Sequence, residues 1–112
     1  MKARAKLTML RVAPRKSRLV ADIIRGKKVS DAESILSFTN RRASKPILKL
    51  LQSAKANAIN NHDMFEDNLV VSEILVDEGP VLKRFLPRAR GRADLMRKRT
   101  SHINITLEER NG

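Results

Sequence analysis

No cysteine, tyrosine or tryptophan occurs in this chain of 112 residues, and phenylalanine occurs only three times. The absence of cysteine excludes disulfide frameworks and cysteine-based metal sites. The scarcity of aromatic rings argues against single-strand readers, which stack successive bases on aromatic side chains. No apolar run has the length of a signal-peptide core or of a membrane span. We therefore predict a soluble protein of a reducing compartment, without membrane association.

Candidate catalytic and metal-binding residues are equally scarce. The histidines are His62 and His102, and neither has the spacing of a metal motif such as H-E-x-x-H. The carboxylates are scattered, and the four glycines form no phosphate-binding loop. We predict no enzymatic activity, no metal and no cofactor. An enzyme acting on RNA would have to depend on one of these two histidines.

Positive charge is abundant and unevenly placed. The formal net charge is +12, from 24 Lys and Arg against 12 Asp and Glu. Residues 1–28 hold ten basic groups and one acidic group, whereas residues 29–79 hold five and eight. Residues 80–101 return to eight basic groups and one acidic group. This polarity indicates a footprint for a polyanion at the two basic regions.

The first quarter of the chain predicts a strand and a helix. Alternation over residues 2–9 indicates a half-buried strand with a basic outer face. Its inward set is Ala3, Ala5, Leu7 and Met9. The alternation of apolar and polar residues shifts by one position at residues 10–12, which predicts a bulge or the end of the strand. Pro14 then opens a helix that ends before Gly26. The apolar stripe of this helix is Leu19, Val20, Ile23 and Ile24.

Two more helices are predicted in the middle of the chain. Ser30 and Glu33 have the spacing of a capping box, which would start a short helix through Phe38. The longest helix should begin at residue 42 or 44 and end at residue 60. Its buried face should contain Ile47, Leu48, Leu50, Leu51, Ala54 and Ala58.

Two β-rich segments, residues 69–77 and 103–107, predict the base of one long hairpin. With the turn centred near residues 89–92, antiparallel pairing places Val76 opposite Ile105. The apolar residues of both segments then share one face. The base should belong to the domain, and the distal half should protrude.

These elements predict an α+β fold, with a three-stranded antiparallel sheet packed on about three helices and a long protruding β-hairpin. We expect a single domain over residues 1–112. Its globular part should comprise residues 1–78 and 103–112, and the extended hairpin should span about residues 79–102. At about 3.3 Å per residue, each hairpin arm of roughly ten residues reaches about 30–35 Å.

The distal hairpin has almost nothing with which to build a core. Eight basic residues and one carboxylate, Asp94, lie between Pro80 and Ser101. An isolated two-stranded hairpin is marginal in water, and repulsion between like charges weakens it further. Its apolar residues, spaced as in a strand, favour a structured finger over a disordered basic arm; they are Leu82, Phe85, Leu86, Leu95 and Met96. We expect an external polyanion to hold it, and the six arginines favour RNA.

The basic first helix has more than one interpretation. Arg15, Lys16 and Arg18 could form an ordinary solvated face. The adjacent basic strand favours phosphate binding instead, because two basic elements would converge on one surface. A helix-turn-helix DNA-binding motif is disfavoured, since the second helix begins with Asp31 and Glu33 and carries no basic residue.

Several segments resemble a known family. In the hairpin they are Glu78-Gly79-Pro80, Lys83-Arg84, Pro87-Arg88-Ala89-Arg90-Gly91-Arg92-Ala93 and Lys98-Arg99-Thr100-Ser101-His102-Ile103. Elsewhere they are Ala13-Pro14-Arg15-Lys16, Ile24-Arg25-Gly26-Lys27, Thr39-Asn40 and Ser53-Ala54 with Ala56-Asn57-Ala58. In order along essentially the whole chain, these motifs resemble the bacterial form of the large-subunit ribosomal protein twenty-two family.

The resemblance implies a structural constituent of the ribosome that binds 23S rRNA and supports early assembly of the large subunit. It implies a globular part near the outer opening of the nascent-peptide tunnel and a hairpin whose tip lines the tunnel wall. The implied partners are 23S rRNA, neighbouring large-subunit ribosomal proteins and, at the tip, the nascent peptide. The implied location is the large ribosomal subunit in the cytoplasm, or an organellar ribosome. We expect no homo-oligomer.

The charge pattern and the resemblance together assign an rRNA-binding set, and the resemblance alone implies a second set, the tunnel-lining tip. The rRNA-binding set is Lys2, Arg4, Lys6, Arg11, Arg15, Lys16, Arg18, Arg25, Lys27, Lys83, Arg84, Arg97, Lys98, Arg99, Thr100, Ser101 and His102. The tunnel-lining tip is Arg88, Ala89, Arg90, Gly91 and Arg92. The alternative function is a free-standing basic protein that binds DNA or RNA.

Overall fold

The computed structural model describes residues 2–87 and 93–110. In chain order its elements are β1 (Lys2–Leu10), α1 (Pro14–Ile24), α2 (Val29–Phe38), α3 (Ser44–His62), a 3₁₀ turn (Glu66–Asn68), β2 (Leu69–Glu78), β3 (Leu82–Pro87), β4 (Ala93–Lys98) and β5 (Ser101–Glu109). Strands β1, β5 and β2, in that order, form an antiparallel sheet, and β3 pairs with β4 in a two-stranded sheet. The predicted α+β class, with three helices on a three-stranded sheet, is confirmed.

One hydrophobic core lies between the three-stranded sheet and the helices. Helix α1 packs mainly on β2, α3 packs on β1, and α2 packs on α3. The buried face of α3 follows the predicted helical spacing, except that Leu48 is only half-buried. Its buried residues are Ser44, Ile47, Leu50, Leu51, Ala54 and Ala58. The sheet contributes Val71, Ile74, Val76, Ile103, Ile105 and Leu107. Because strand residues alternate in direction, the opposite face of the sheet stays polar.

Strand β1 follows the predicted alternation only as far as Leu7. Ala3 is fully buried, but Met9 is 48% exposed, so the prediction that Met9 faces inward is wrong. The register with β5 shifts between Leu7 and Leu10, and Met9 has a φ of 54°. The bulge therefore comes earlier in the chain than predicted, and it reverses the side-chain alternation beyond Leu7.

Helix α1 begins and ends where the sequence predicted, with Gly26 beyond its end at a φ of 78°. Only two of the four residues in its predicted apolar stripe are buried. Val20 and Ile24 are fully buried, whereas Leu19 and Ile23 are 51% and 40% exposed. Adjacent helical positions differ by about 100° in direction, so both members of a neighbouring pair cannot face the same strand.

Helix α2 begins two residues earlier than predicted, and the predicted capping box is wrong. Its N-cap residue is Lys28, with no side-chain cap, and Ser30 lies inside the first turn. Burial of Val29 and a backbone bridge from Lys28 to β2 determine this start. Glu33 instead pairs with Lys55 of α3, at 3.1 Å. A tertiary ion pair thus replaces the local cap.

Helix α3 continues two residues past the predicted end, to His62. Asp63 then takes a left-handed φ of 52°. The N–H of Met64 donates to the carbonyl of Ala58 at 3.0 Å and satisfies one of the carbonyls left free at the helix end.

The register of β2 with β5 differs by two residues from the prediction. Val76 lies opposite Ile103 rather than Ile105. A slip of two keeps the same side chains on the core face, because side-chain direction has a period of two. The hairpin ladder is interrupted by residues 79–81 on one arm and residues 99–100 on the other. The prediction assumed two arms of equal length, whereas these links contain three and two residues.

Hydrogen bonds define the joint between the two sheets. The Gly79 N–H donates to the Thr100 carbonyl at 2.9 Å, and the Thr100 hydroxyl donates to the Pro80 carbonyl at 2.6 Å. The Ser101 hydroxyl donates to the Val12 carbonyl at 2.5 Å. These bonds link both hairpin arms to the segment between β1 and α1.

Candidate nucleic-acid interface

The predicted basic residues of the globular part all lie on the surface. The exposed set is Lys2, Arg4, Lys6, Arg11, Arg15, Lys16, Arg18, Arg25 and Lys27, together with Arg99 beside the hairpin. Within the described part of the chain, Arg25, which pairs with Asp22, is the one member of this set that forms an ion pair. Among the described side chains the other members of the set have no carboxylate within ion-pair distance, which favours a polyanionic partner.

The two basic elements at the start of the chain do not converge as predicted. Strand β5 inserts between β1 and β2, so β1 and β2 form opposite edges of the sheet. Helix α1 packs mainly on β2, whereas α3 packs beside β1. The basic residues of β1 therefore lie close to α3 instead of α1. Sequence neighbours separate here because a distant strand pairs between them.

Two arginines of α1 bind the edge of β2. Arg18 donates to the carbonyl of Val76 at 3.1 Å, and Arg25 donates to the carbonyl of Ile74 at 2.8 Å. Each guanidinium has five N–H donors, so these bonds leave donors available to a ligand. Their first function in the isolated protein is nevertheless structural.

Arg15 and Lys16 occupy the first turn of α1, and no acidic residue accompanies them. The N-terminus of a helix carries partial positive charge, so cations there weaken the helix by a few tenths of a kcal/mol. Both side chains are exposed. Placement of two cations where they oppose the helix dipole favours an interaction with an anion outside the chain.

Three predicted RNA-binding residues of the hairpin base have partners inside the protein. Thr100 and Ser101 are 1% and 0% exposed, and their hydroxyls bind backbone carbonyls. Ser17 lies 3.1 Å from the Ser101 hydroxyl. His102 is half-buried, and its Nδ1 accepts a hydrogen bond from the N–H of Met9 at 3.0 Å. Burial removes Thr100 and Ser101 from the candidate surface, because RNA cannot reach their side chains.

The register of the hairpin arms pairs two basic residues at one position. In the β3–β4 ladder Lys83 lies directly opposite Arg97, and Arg84 lies opposite Met96. Like charges at opposed positions destabilise a strand pair. The predicted tip residues Arg88, Ala89, Arg90, Gly91 and Arg92 lie outside the described residues.

Sequence reasoning missed a basic group on α3. Arg41, Arg42, Lys45 and Lys49 are exposed and follow one another around the start of that helix. The averaged charge of residues 29–79 concealed them, although residues 39–62 contain five basic residues and no carboxylate. A shorter window for counting charge would have found this group.

The fifth basic residue of this region, Lys55, has a structural role. Its Nζ lies 2.5 Å from Glu66 and 3.1 Å from Glu33. The hydrogen bond to Glu66 raises the pKa of Lys55; burial opposes this rise, and Glu33 adds to it. Lys55 therefore links α3 to α2 and to the 3₁₀ turn.

Across residues 2–87 and 93–110, no group of three or more His, Cys, Asp or Glu side chains could hold a metal ion. Over the same part of the chain, no helix has the length and apolarity to cross a membrane.

Comparison with known proteins identifies relatives along the whole chain. Residues 5–108 match the family model described as ribosomal protein L22p/L17e. The large ribosomal subunit protein uL22 of Thermus thermophilus is 56% identical over 112 residues, which cover 100% of this chain and 99% of that protein. The uL22 protein of Deinococcus deserti is 58% identical over 102 residues, covering 91% of this chain and 73% of that protein.

Proposed function

Because this chain belongs to the family of ribosomal protein L22p/L17e, we propose that it is a structural component of the large ribosomal subunit and binds ribosomal RNA. Its role is structural and not enzymatic. One observation carries the RNA-binding part of this proposal: Lys83 lies opposite Arg97 in a sheet of only two strands. Such a ladder needs an external anion to offset the repulsion between its arms.

The RNA partner is 23S rRNA, and binding supports early assembly of the subunit. The proposed contacts form two separate groups, the exposed cations in and beside β1 and those in and beside α1, together with the hairpin arms. These residues are Lys2, Arg4, Lys6, Arg11, Arg15, Lys16, Arg18, Arg25, Lys27, Lys83, Arg84, Arg97, Lys98 and Arg99. His102 lies at its margin, while Thr100 and Ser101 stabilise the hairpin base.

The hairpin tip, residues 88–92, lines the tunnel through which the nascent peptide leaves. The arms then pass between RNA segments, since paired strands without a core are thin enough to do so. Neighbouring large-subunit proteins contact the globular part. Because the relatives are bacterial, we infer a cytoplasmic ribosome as the location.

Co-sedimentation tests the proposal. A ribosomal component should be present at one copy per large subunit and remain after a wash in moderate salt. A free-standing nucleic-acid-binding protein would be stripped, because its affinity rests on counterion release alone. Sub-stoichiometric recovery from purified large subunits would exclude the ribosomal role.

Deletion of residues 90–92 tests the tip separately. Subunits should assemble normally with this variant, while nascent-chain stalling or inhibition by tunnel-binding antibiotics should change. Failure of assembly, with unchanged stalling in the few subunits formed, would show that the tip anchors the hairpin and does not line the tunnel.

A further inference from the structure

A groove runs between the free edge of β1 and helix α3. It consists of two adjoining cavities of about 610 Å³ and about 480 Å³, which share Lys6 and Ser53 in their walls. Asn57 Nδ2 donates to the carbonyl of Arg4 at 3.2 Å and so connects the helix to the strand edge. Strand order creates the groove. Strand β1 is an edge strand that pairs with β5 on one side, and its other side faces the groove.

The walls of the groove are cationic. The larger cavity is lined by Lys6, Arg42, Lys45 and Lys49, and Arg4 lines the smaller one. Among the described residues, no carboxylate lines either cavity. Five cations without a counter-charge attract a polyanion, and repeated phosphates suit their spacing along the helix better than a single anion does.

The floor of the larger cavity is apolar. Leu50 is buried there, and Leu7 and Pro46 are half-buried. An apolar surface does not stabilise a phosphate, but it stabilises the flat face of an unstacked nucleobase, because contact removes apolar area from water. The smaller cavity is lined by the amides of Asn57, Asn60 and Asn61. Asn61 Nδ2 donates to Asn57 Oδ1 at 2.6 Å, which holds these two side chains in place, and the exposed amide of Asn60 can donate to and accept from base edges.

The start of α3 also holds cations against the helix dipole. Lys45 lies in the first turn, where no acidic residue occurs, and Arg42 lies two residues before the helix. Both are exposed. These charges weaken the helix slightly, as Arg15 and Lys16 do in α1, and a bound phosphate would reverse that effect.

We propose that this groove binds one unpaired nucleotide of folded RNA together with its flanking phosphates. The base lies on the apolar floor between Leu7 and Pro46, and the phosphates contact Arg42, Lys45 and Lys49. A duplex hides its bases, so a bulge or loop is the fitting element. A longer single strand is disfavoured, because the chain has no tyrosine or tryptophan on which to stack successive bases. The inference rests on the proposed function and adds a location and an RNA element to it.

A substitution that fills the groove without changing its charge tests the inference. Ser53 is exposed and lies in the walls of both cavities, so Ser53→Trp fills the groove, whereas Gln52→Trp places the same ring on the adjacent face of α3. Binding of each full-length variant to large-subunit rRNA is measured by filter retention. We expect Ser53→Trp to weaken binding at least about tenfold and Gln52→Trp to change it less than about twofold. Equal affinities would overturn the inference.

A charge variant supplies an independent test that does not depend on tolerance of the new ring. Lys45 and Lys49 are exposed, so replacing both by Ala leaves the core intact. Lys28 and Arg110, also exposed and outside the groove, form the matched control pair. The logarithmic salt slope of RNA binding should fall by about 0.7 per lost contact in the first variant only. Equal slopes would contradict the proposal.

Photocross-linking identifies the RNA element. A benzophenone amino acid at position 53 should label an unpaired nucleotide, and the same group at position 52 should not. Labelling of paired nucleotides alone would overturn the single-nucleotide proposal. If the wild-type protein binds no large-subunit RNA, the proposed function itself fails. If it binds RNA but the groove variants match their controls, only the groove inference fails.

Discussion

Arg25 donates a hydrogen bond from Nη2 to the carbonyl oxygen of Ile74 at 2.8 Å, which fastens α1 to β2. Arg18 repeats this arrangement at Val76. Along the same strand the Gly26 N–H donates to the carbonyl of Val71 at 2.9 Å. Because β2 is an edge strand, these contacts satisfy backbone groups that could otherwise pair with another chain.

Replacement of Arg25 by Ala should therefore lower the free energy of unfolding by about 1 kcal/mol, because a carbonyl loses a charged donor. Urea unfolding followed by circular dichroism measures this change. Arg15→Ala is the control, since Arg15 is exposed and should shift stability by less than about 0.5 kcal/mol. Equal effects of the two variants would show that the Arg25 bond contributes nothing.

Gly79 is expected to be intolerant of a side chain. A Cβ at this position would lie well under 3.0 Å from Oγ1 of Thr100. That hydroxyl cannot move freely, because it is buried and bonded to the Pro80 carbonyl. Gly79→Ala should destabilise the protein by about 1–3 kcal/mol.

A double-mutant cycle with Thr100→Ala checks the cause, because removal of Oγ1 relieves the contact. The double variant should be less destabilised than the sum of the two single variants. Simple additivity would mean that Gly79 is required for a reason other than Thr100.

The ion pairs of Lys55 predict a stability difference that is lost at alkaline pH. The folded-state pKa lies above the ordinary value of 10.5, so the contribution is complete below that pH and is lost as the pH rises through the folded-state pKa. Lys55→Gln should lower stability by about 1 kcal/mol or less. Its difference from wild type should stay constant between about pH 6 and pH 9, then shrink above about pH 10.5.

Urea unfolding across this pH range provides the measurement, with Lys49→Gln as the control because Lys49 is exposed on the same helix. A difference that vanished near neutral pH would contradict the assigned ion pairs.

Substitutions at two nearby positions of the hairpin base should have different effects, one lowering stability and the other lowering RNA affinity. Ser101→Ala removes a buried donor to the Val12 carbonyl and should lower the unfolding free energy by about 1–2 kcal/mol. Below its melting temperature this variant should bind rRNA with wild-type affinity.

Arg99→Ala should have the opposite profile, because the side chain is exposed. Its stability should match wild type, while the salt slope of rRNA binding falls by about 0.7–0.9. Parallel unfolding and filter-binding measurements distinguish the two variants. Weakened RNA binding by folded Ser101→Ala would restore that residue to the contact surface.

Local patterns in the sequence were sufficient for most elements. The limits of α1, the buried face of α3 and the apolar pairing of β2 with β5 follow from periodicity, proline and glycine. The start of α2 could not be read in this way, because Lys28 pairs with β2 and Glu33 pairs with Lys55. A capping box is a local signal, and both of these contacts are long-range.

The sequence alone determined the α+β class, the charge polarity and the absence of a core in the distal hairpin, because these depend on residue type and spacing. Only the tertiary structure decided which of the polar and charged side chains form bonds within the fold. Insertion of β5 between β1 and β2 separates the basic residues of β1 from those of α1 and places them beside α3. The same packing uses Arg18 and Arg25 on β2 and buries Thr100 and Ser101. Strand order and burial arise from contacts between residues far apart in the chain, so no local pattern encodes them.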